Sequence, residues 1–92
     1  MGTIEFSCER PAYCAATPRL QCAVTIDGGP ATYAITAEAL EDHFGARSYR
    51  SEDLLRAFMS HREDIERVAE VLFKMTGARN IVLHSGHFRF AE

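Results

Sequence analysis

Few side chains in this chain of 92 residues have the types and spacing for metal or catalytic chemistry. His84 and His87 flank Ser85-Gly86 near the end of the chain. If that dipeptide turns a two-residue hairpin, the histidines oppose each other about 4.5–5.5 Å apart at Cα, close enough to share an ion. A metal site takes three or four ligands, so Cys14, His43 or a second copy of the chain would have to complete it. With no such partner evident, two exposed turn histidines and no metal are expected. Cys8, Cys14 and Cys22 make an odd count at spacings that match no common zinc module. They read as reduced structural thiols, with Cys8 and Cys22 as small core hydrophobes in strand-like alternations. The chain has no nucleophile elbow, P-loop, H-E-x-x-H or dinucleotide fingerprint. No catalytic residue and no cofactor are therefore assigned, and a non-catalytic protein is expected.

Two pairs of basic or titratable residues remain, Arg47 with Arg50 and His61 with Arg62. Arg47 and Arg50 precede a helix, where a basic pocket at the helix N-terminus would suit one phosphate group. His61 falls within the otherwise apolar face of that helix. It is expected to be buried and neutral between Phe58 and Ile65, hydrogen-bonded to a carbonyl, a Thr hydroxyl or Tyr33. Arg62 lies at the edge of the same face, where its stem can pack while the guanidinium reaches a carboxylate.

The elements that must position these residues follow from periodicity. Thr3 to Cys8 alternates with Ile4, Phe6 and Cys8 on one face, the pattern of a half-buried strand. Glu9 to Arg19, with Pro11 and Pro18, reads as a loop. Leu20 to Ile26 and Ala31 to Ile35 form a hairpin around Asp27-Gly28-Gly29-Pro30. Thr36 is a good N-cap for a short helix from Ala37 to Phe44, and Gly45 is placed to stop it. Ser51 is expected to cap a second helix that meets no Gly or Pro until Gly77. Its roughly 24 residues would span about 36 Å, longer than the ~30 Å breadth of a domain of this size. Ile81 to Phe90 sorts its apolar residues cleanly if it turns at Ser85-Gly86, with Ile81, Leu83, Phe88 and Phe90 inward. The expected order is β-β-β-α-α-β-β. This is an α+β fold, a small mostly antiparallel sheet covered on one face by one short and one long helix.

The long helix predicts more than a fold. Leu54, Phe58, Ile65, Val68, Ala69 and Leu72 define one direction, and Leu55, Met59 and Phe73 widen the apolar arc to about 180°, against the ~100° that packing on one sheet requires. The surplus, carried by Leu55, Met59 and Phe73, calls for a second surface. On the opposite side Arg56, Glu63, Asp64, Arg67, Glu70 and Lys74 read as a solvated face, with Glu63–Arg67 and Glu70–Lys74 spaced as i,i+4 pairs.

Two stretches together resemble the bacterial "domain of unknown function 1488" family. One is Cys22-Ala23-Val24, Asp27-Gly28 and Tyr33-Ala34-Ile35-Thr36-x-Glu38-x-Leu40-x-x-x-Phe44. The other is Leu54-Leu55-x-x-Phe58-x-x-His61-Arg62-x-x-Ile65-Glu66. The tail departs from the pattern, with His87 before Phe88 where an acidic residue is expected. The resemblance implies a small stand-alone bacterial α+β protein without an established activity. It offers no catalytic residues to carry over, and it makes His61-Arg62 part of the family pattern.

Composition sets the remaining bounds. A single domain is expected, with 47% hydrophobic and 25% charged residues and a formal net charge of −3. That balance argues against a general nucleic-acid or anionic-membrane binder. No apolar run approaches a membrane span and no secretory signal is visible, so a cytoplasmic protein is expected. The gap of about six residues between the helices is longer than a helix-turn-helix uses. The expectation is a protein-interaction or assembly module that forms a homodimer, with an unidentified protein partner. A regulatory nucleic-acid-binding accessory resting on Arg47 and Arg50 is the alternative.

Overall fold

The computed structural model describes residues 3–6 and 10–91, the last three by backbone alone. Cys8 lies outside the described residues. Five strands form one sheet: β1 (Ile4–Glu5), β2 (Ala12–Cys14), β3 (Arg19–Ile26), β4 (Gly29–Thr36) and β5 (Asn80–Leu83). Between β4 and β5 come α1 (Ala37–Phe44), α2 (Ser51–Ser60) and α3 (Arg62–Thr76), and a 3-10 helix (Ser85–Ala91) follows β5. The fold is α+β with a mostly antiparallel sheet, as the sequence predicts. β1 and β2 both pair with one edge of β3, β3 pairs with β4, and β5 joins β4 in parallel.

The β3–β4 hairpin turns within the expected Asp27–Pro30 stretch, but on two residues. Ile26 pairs with Gly29, and Asp27 and Gly28 between them take φ of 51° and 80°. Positive φ at both positions gives the turn the right-handed twist of the flanking strands, and glycine adopts it without strain. Gly29 and Pro30 therefore belong to β4 instead of the turn. Pro30 lies beyond β5, which begins opposite Thr32, so its missing N–H costs the β4–β5 ladder nothing. Alternation then sends Leu20, Cys22 and Val24, Ala31, Tyr33 and Ile35, and Ile81 and Leu83 to the face covered by the helices, where all are buried. Gln21 and Ala23, on the other face, are exposed.

α1 is bounded as expected. Thr36 Oγ accepts the Ala39 N–H at 3.1 Å, and Gly45 ends the helix at φ 74°. α2 is not capped by Ser51, which is its first helical residue; Arg50 is the N-cap and makes no side-chain cap hydrogen bond. Ser48 organises that entry instead, accepting the Arg50 N–H at 3.1 Å and donating to Asp53 Oδ2 at 2.5 Å.

Three expectations fail. The loop from Glu9 to Arg19 contains β2, a short edge strand that the flanking prolines conceal. The long helix is two helices. His61 separates them at φ −126°, ψ 24°, its N–H bonding to Phe58 O three residues back instead of four. The break replaces a straight rod with segments of about 15 and 23 Å at 1.5 Å per residue, which fit a molecule measuring 37 × 26 × 22 Å. α2 packs on α1 and β3, whereas α3 packs on β5. Finally, the tail is not a hairpin. Gly86 is absent from the positive-φ glycines, so the chain winds into the 3-10 helix after β5 instead of turning back as a strand. Leu83 and Phe88 still reach the core, at 0% and 2% exposure. Phe88 does so by folding onto α1, its ring 5.1 Å from that of Phe44.

The break also dissolves most of the surplus apolar arc. Phe73 is 3% exposed and belongs to the core, not to an outer face. Leu55 and Leu72 are half-buried against that core. Of the three residues assigned to a second surface, Met59 is the exposed one, at 51%. Arg67 pairs with Asp64 at 3.6 Å instead of Glu63, while Lys74–Glu70 forms at 3.2 Å; exposed pairs of this kind contribute little.

Candidate functional site

The family-motif residues His61 and Arg62 face different surroundings because the helix breaks between them. Arg62 lies back across α2. Its guanidinium stands 5.6 Å from the centre of the Phe58 ring, and its Nε donates to Glu66 Oε2 at 2.7 Å. Stem packing and a half-buried ion pair thus combine, as the sequence predicts for this side chain. Beneath lies Tyr33, 1% exposed, with Phe6 edge-on at 5.9 Å. Among the described residues its buried hydroxyl has no nitrogen or oxygen partner, and the Cys22 thiol lies beside it.

Burial, reinforced by Cys22, pushes the Tyr33 phenol well above its usual value near 10. The folded chain therefore holds this proton more tightly than the unfolded chain does. Tyr33's contribution to stability is intact below about pH 10 and is lost above it, by roughly 1.4 kcal/mol per pH unit. Tyr33→Phe should leave stability at pH 8 unchanged or raised by about 1 kcal/mol, because it removes a buried unpaired polar group. It should also flatten the loss between pH 10 and 11. Denaturant melts across that range check both effects; an equal alkaline loss in the variant would refute the assignment to Tyr33.

His61 is not buried between Phe58 and Ile65. It is exposed, and its ring lies 5.1 Å from Phe44. Ending α2 turns His61 out of the phase that a continuous helix would impose. It lines a cleft of about 310 Å³ with Phe44, Gly45, Arg47, Asp53, Arg56, Ala57 and Ser60. Arg50 does not share this cleft with Arg47. Arg47 lines this cleft, whereas Arg50 is the exposed N-cap residue of α2 outside it. Arg56 takes the second place, a residue that helical periodicity had put among the solvated charges.

The cleft holds a Ser, a His and an Asp without arranging them as a hydrolytic relay. Asp53 accepts its hydrogen bond from Ser48, and no hydrogen bond joins Ser60, His61 and Asp53 to one another among the described residues. The tail histidines are likewise occupied locally. His87 Nδ1 accepts the His84 backbone N–H at 2.9 Å, and His43 Nε2 lies 3.0 Å from Ser85 O. Among the described residues no group of three His, Cys, Asp or Glu is placed to hold a metal ion. Among the described residues no helix is long and apolar enough to cross a membrane.

A second surface lies on the outer side of α2. A shallow groove of about 520 Å³ has Leu55 and Met59 as its apolar floor and Arg10, Ser51, Glu52 and Arg56 around them. Tyr13 and Tyr49 are also exposed, at 40% and 42%. They are tied together by a hydrogen bond from the Tyr13 hydroxyl to Tyr49 O at 3.2 Å.

The family model described as "Protein of unknown function (DUF1488)" matches residues 4–83. The chain belongs to this family. No curated protein matches the chain, and no solved structure does. The match to DUF1488 runs from β1 through β5, so the sheet, the three helices and the His61-Arg62 break all fall within the DUF1488 region. The 3-10 tail lies after it, although Phe88 is part of the core.

Proposed function

We propose that this DUF1488 protein is a non-catalytic interaction module that self-associates through the groove on α2. The observation that carries this reading is the composition of the groove: apolar Leu55 and Met59 together with Arg10, Arg56 and Glu52. Met and Arg are among the residue types that protein interfaces enrich. A groove lined by charges of both signs suits a two-fold axis, which can place Arg10 of one copy against Glu52 of the other. A stable dimer burying about 1,000 Å² in total takes about 500 Å² from each copy, under a tenth of the chain's 5632 Å² surface. The same opposition of charges favours a second copy over an unrelated protein.

The alternative, a nucleic-acid accessory, draws on Arg47 and Arg56 alone, because the exposed side of α3 carries Glu63, Asp64 and Glu70 beside Arg67 and Lys74. A charge swap tests the two-fold arrangement. Arg10→Glu and Glu52→Arg should each weaken the dimer at least tenfold by opposing like charges, and the double variant should restore it. Sedimentation gives the dissociation constants. Single variants that dimerise as the wild type does would refute the pairing.

A further inference from the structure

We propose that the cleft at the α2–α3 break is a binding site for a phosphate monoester. It is lined by Arg47, Arg56, Ser60 and His61, with Phe44 as its apolar wall. Neither Arg47 nor Arg56 makes an ion pair among the described residues, so two guanidinium groups border one concavity without a carboxylate partner. The acid on the wall, Asp53, is occupied by the Ser48 hydroxyl. Guanidinium groups match phosphate oxygens with paired N–H donors, and a monoester is close to a dianion at neutral pH. The Ser60 hydroxyl and the His61 ring add hydrogen-bonding groups to the lining. At about 310 Å³ the cleft exceeds one phosphate group. The Phe44 ring, in contact with His61, offers the remaining space an apolar face for the organic part of the ligand.

This site is separate from the self-association groove except at Arg56, which borders both. The test therefore uses the exposed residues Arg47 and His61, whose replacement removes no core contact. Amide NMR spectra of the full chain in 0.15 M NaCl, where diffuse attraction is screened, would be followed during titration with three probes: inorganic phosphate, a sugar monophosphate and a single-stranded oligonucleotide lacking a terminal phosphate. Saturable shifts at Arg47, Ser60 and His61 are expected with the first two, tighter with the sugar monophosphate. Arg47→Ala should weaken binding about tenfold, His61→Ala should weaken it less, and Met59→Asp should leave it unchanged. Saturation by inorganic phosphate with no gain from the sugar would overturn the role given to Phe44. No saturable shift, binding unaltered in Arg47→Ala, or binding of the oligonucleotide alone would overturn the site.

Discussion

Phe58→Ala should lower the melting temperature by roughly 15–30 °C, from a loss of about 3–5 kcal/mol. Phe58 is fully buried and also lies under the Arg62 guanidinium. Its removal opens a cavity and takes away the surface that holds Arg62 beside Glu66. A domain of this length has about 5–14 kcal/mol of stability in total, so the loss is a large fraction of it. The break at His61 adds to the effect, because α2 and α3 are joined by one non-helical residue and each must be held by its own core contacts. Phe58 is the largest of those contacts on α2. Calorimetry checks the result; a shift below about 5 °C would mean that α2 is not packed as described.

Phe88→Ala should cost about 3 kcal/mol, although Phe88 lies beyond the family match. Its ring fills the space beside Phe44 and His43, at 5.1 and 5.8 Å. Ser85 anchors the segment through its contact with His43 and by donating to Asp42 Oδ2 at 2.8 Å. Ending the chain after His84 should destabilise at least as much as the substitution, because both the ring and the anchors are lost. A truncated chain that melts with the wild type would show that the 3-10 helix is dispensable to the core.

Much of this architecture is legible in the sequence where local chemistry decides it. Asp27-Gly28-Gly29-Pro30 marks the place of the hairpin turn, Thr36 and Gly45 bound α1, and alternation picks out the residues of β3 and β4 that face the helices. Helical periodicity misleads at His61 because no Gly or Pro marks the break. The interruption comes from tertiary packing, with α2 held on α1 and β3 and α3 on β5. Arg62 is read correctly across the break because its stacking and its Glu66 partner need only neighbours within one turn.

The tail misleads for a related reason. Ser85-Gly86 has hairpin composition and the inward set of Ile81, Leu83 and Phe88 is right, yet β5 is a parallel strand reached by a helical crossover. A 3-10 path satisfies the same burial. The cleft was half legible: Arg47 carries an anion-binding signal in the sequence, but Arg56 looks like one more solvated charge until the break brings His61 round to meet it.

Sedimentation equilibrium of the wild-type chain and of Met59→Asp, at one to one hundred micromolar, tests self-association most directly. Met59 is half-exposed on the floor of the α2 groove, so the substitution puts a charge into the interface while leaving the core intact. Wild type should be mainly dimeric at tens of micromolar and Met59→Asp monomeric with an unchanged melting profile. A wild-type chain that stays monomeric throughout, or a variant that dimerises equally well, would contradict self-association through this face.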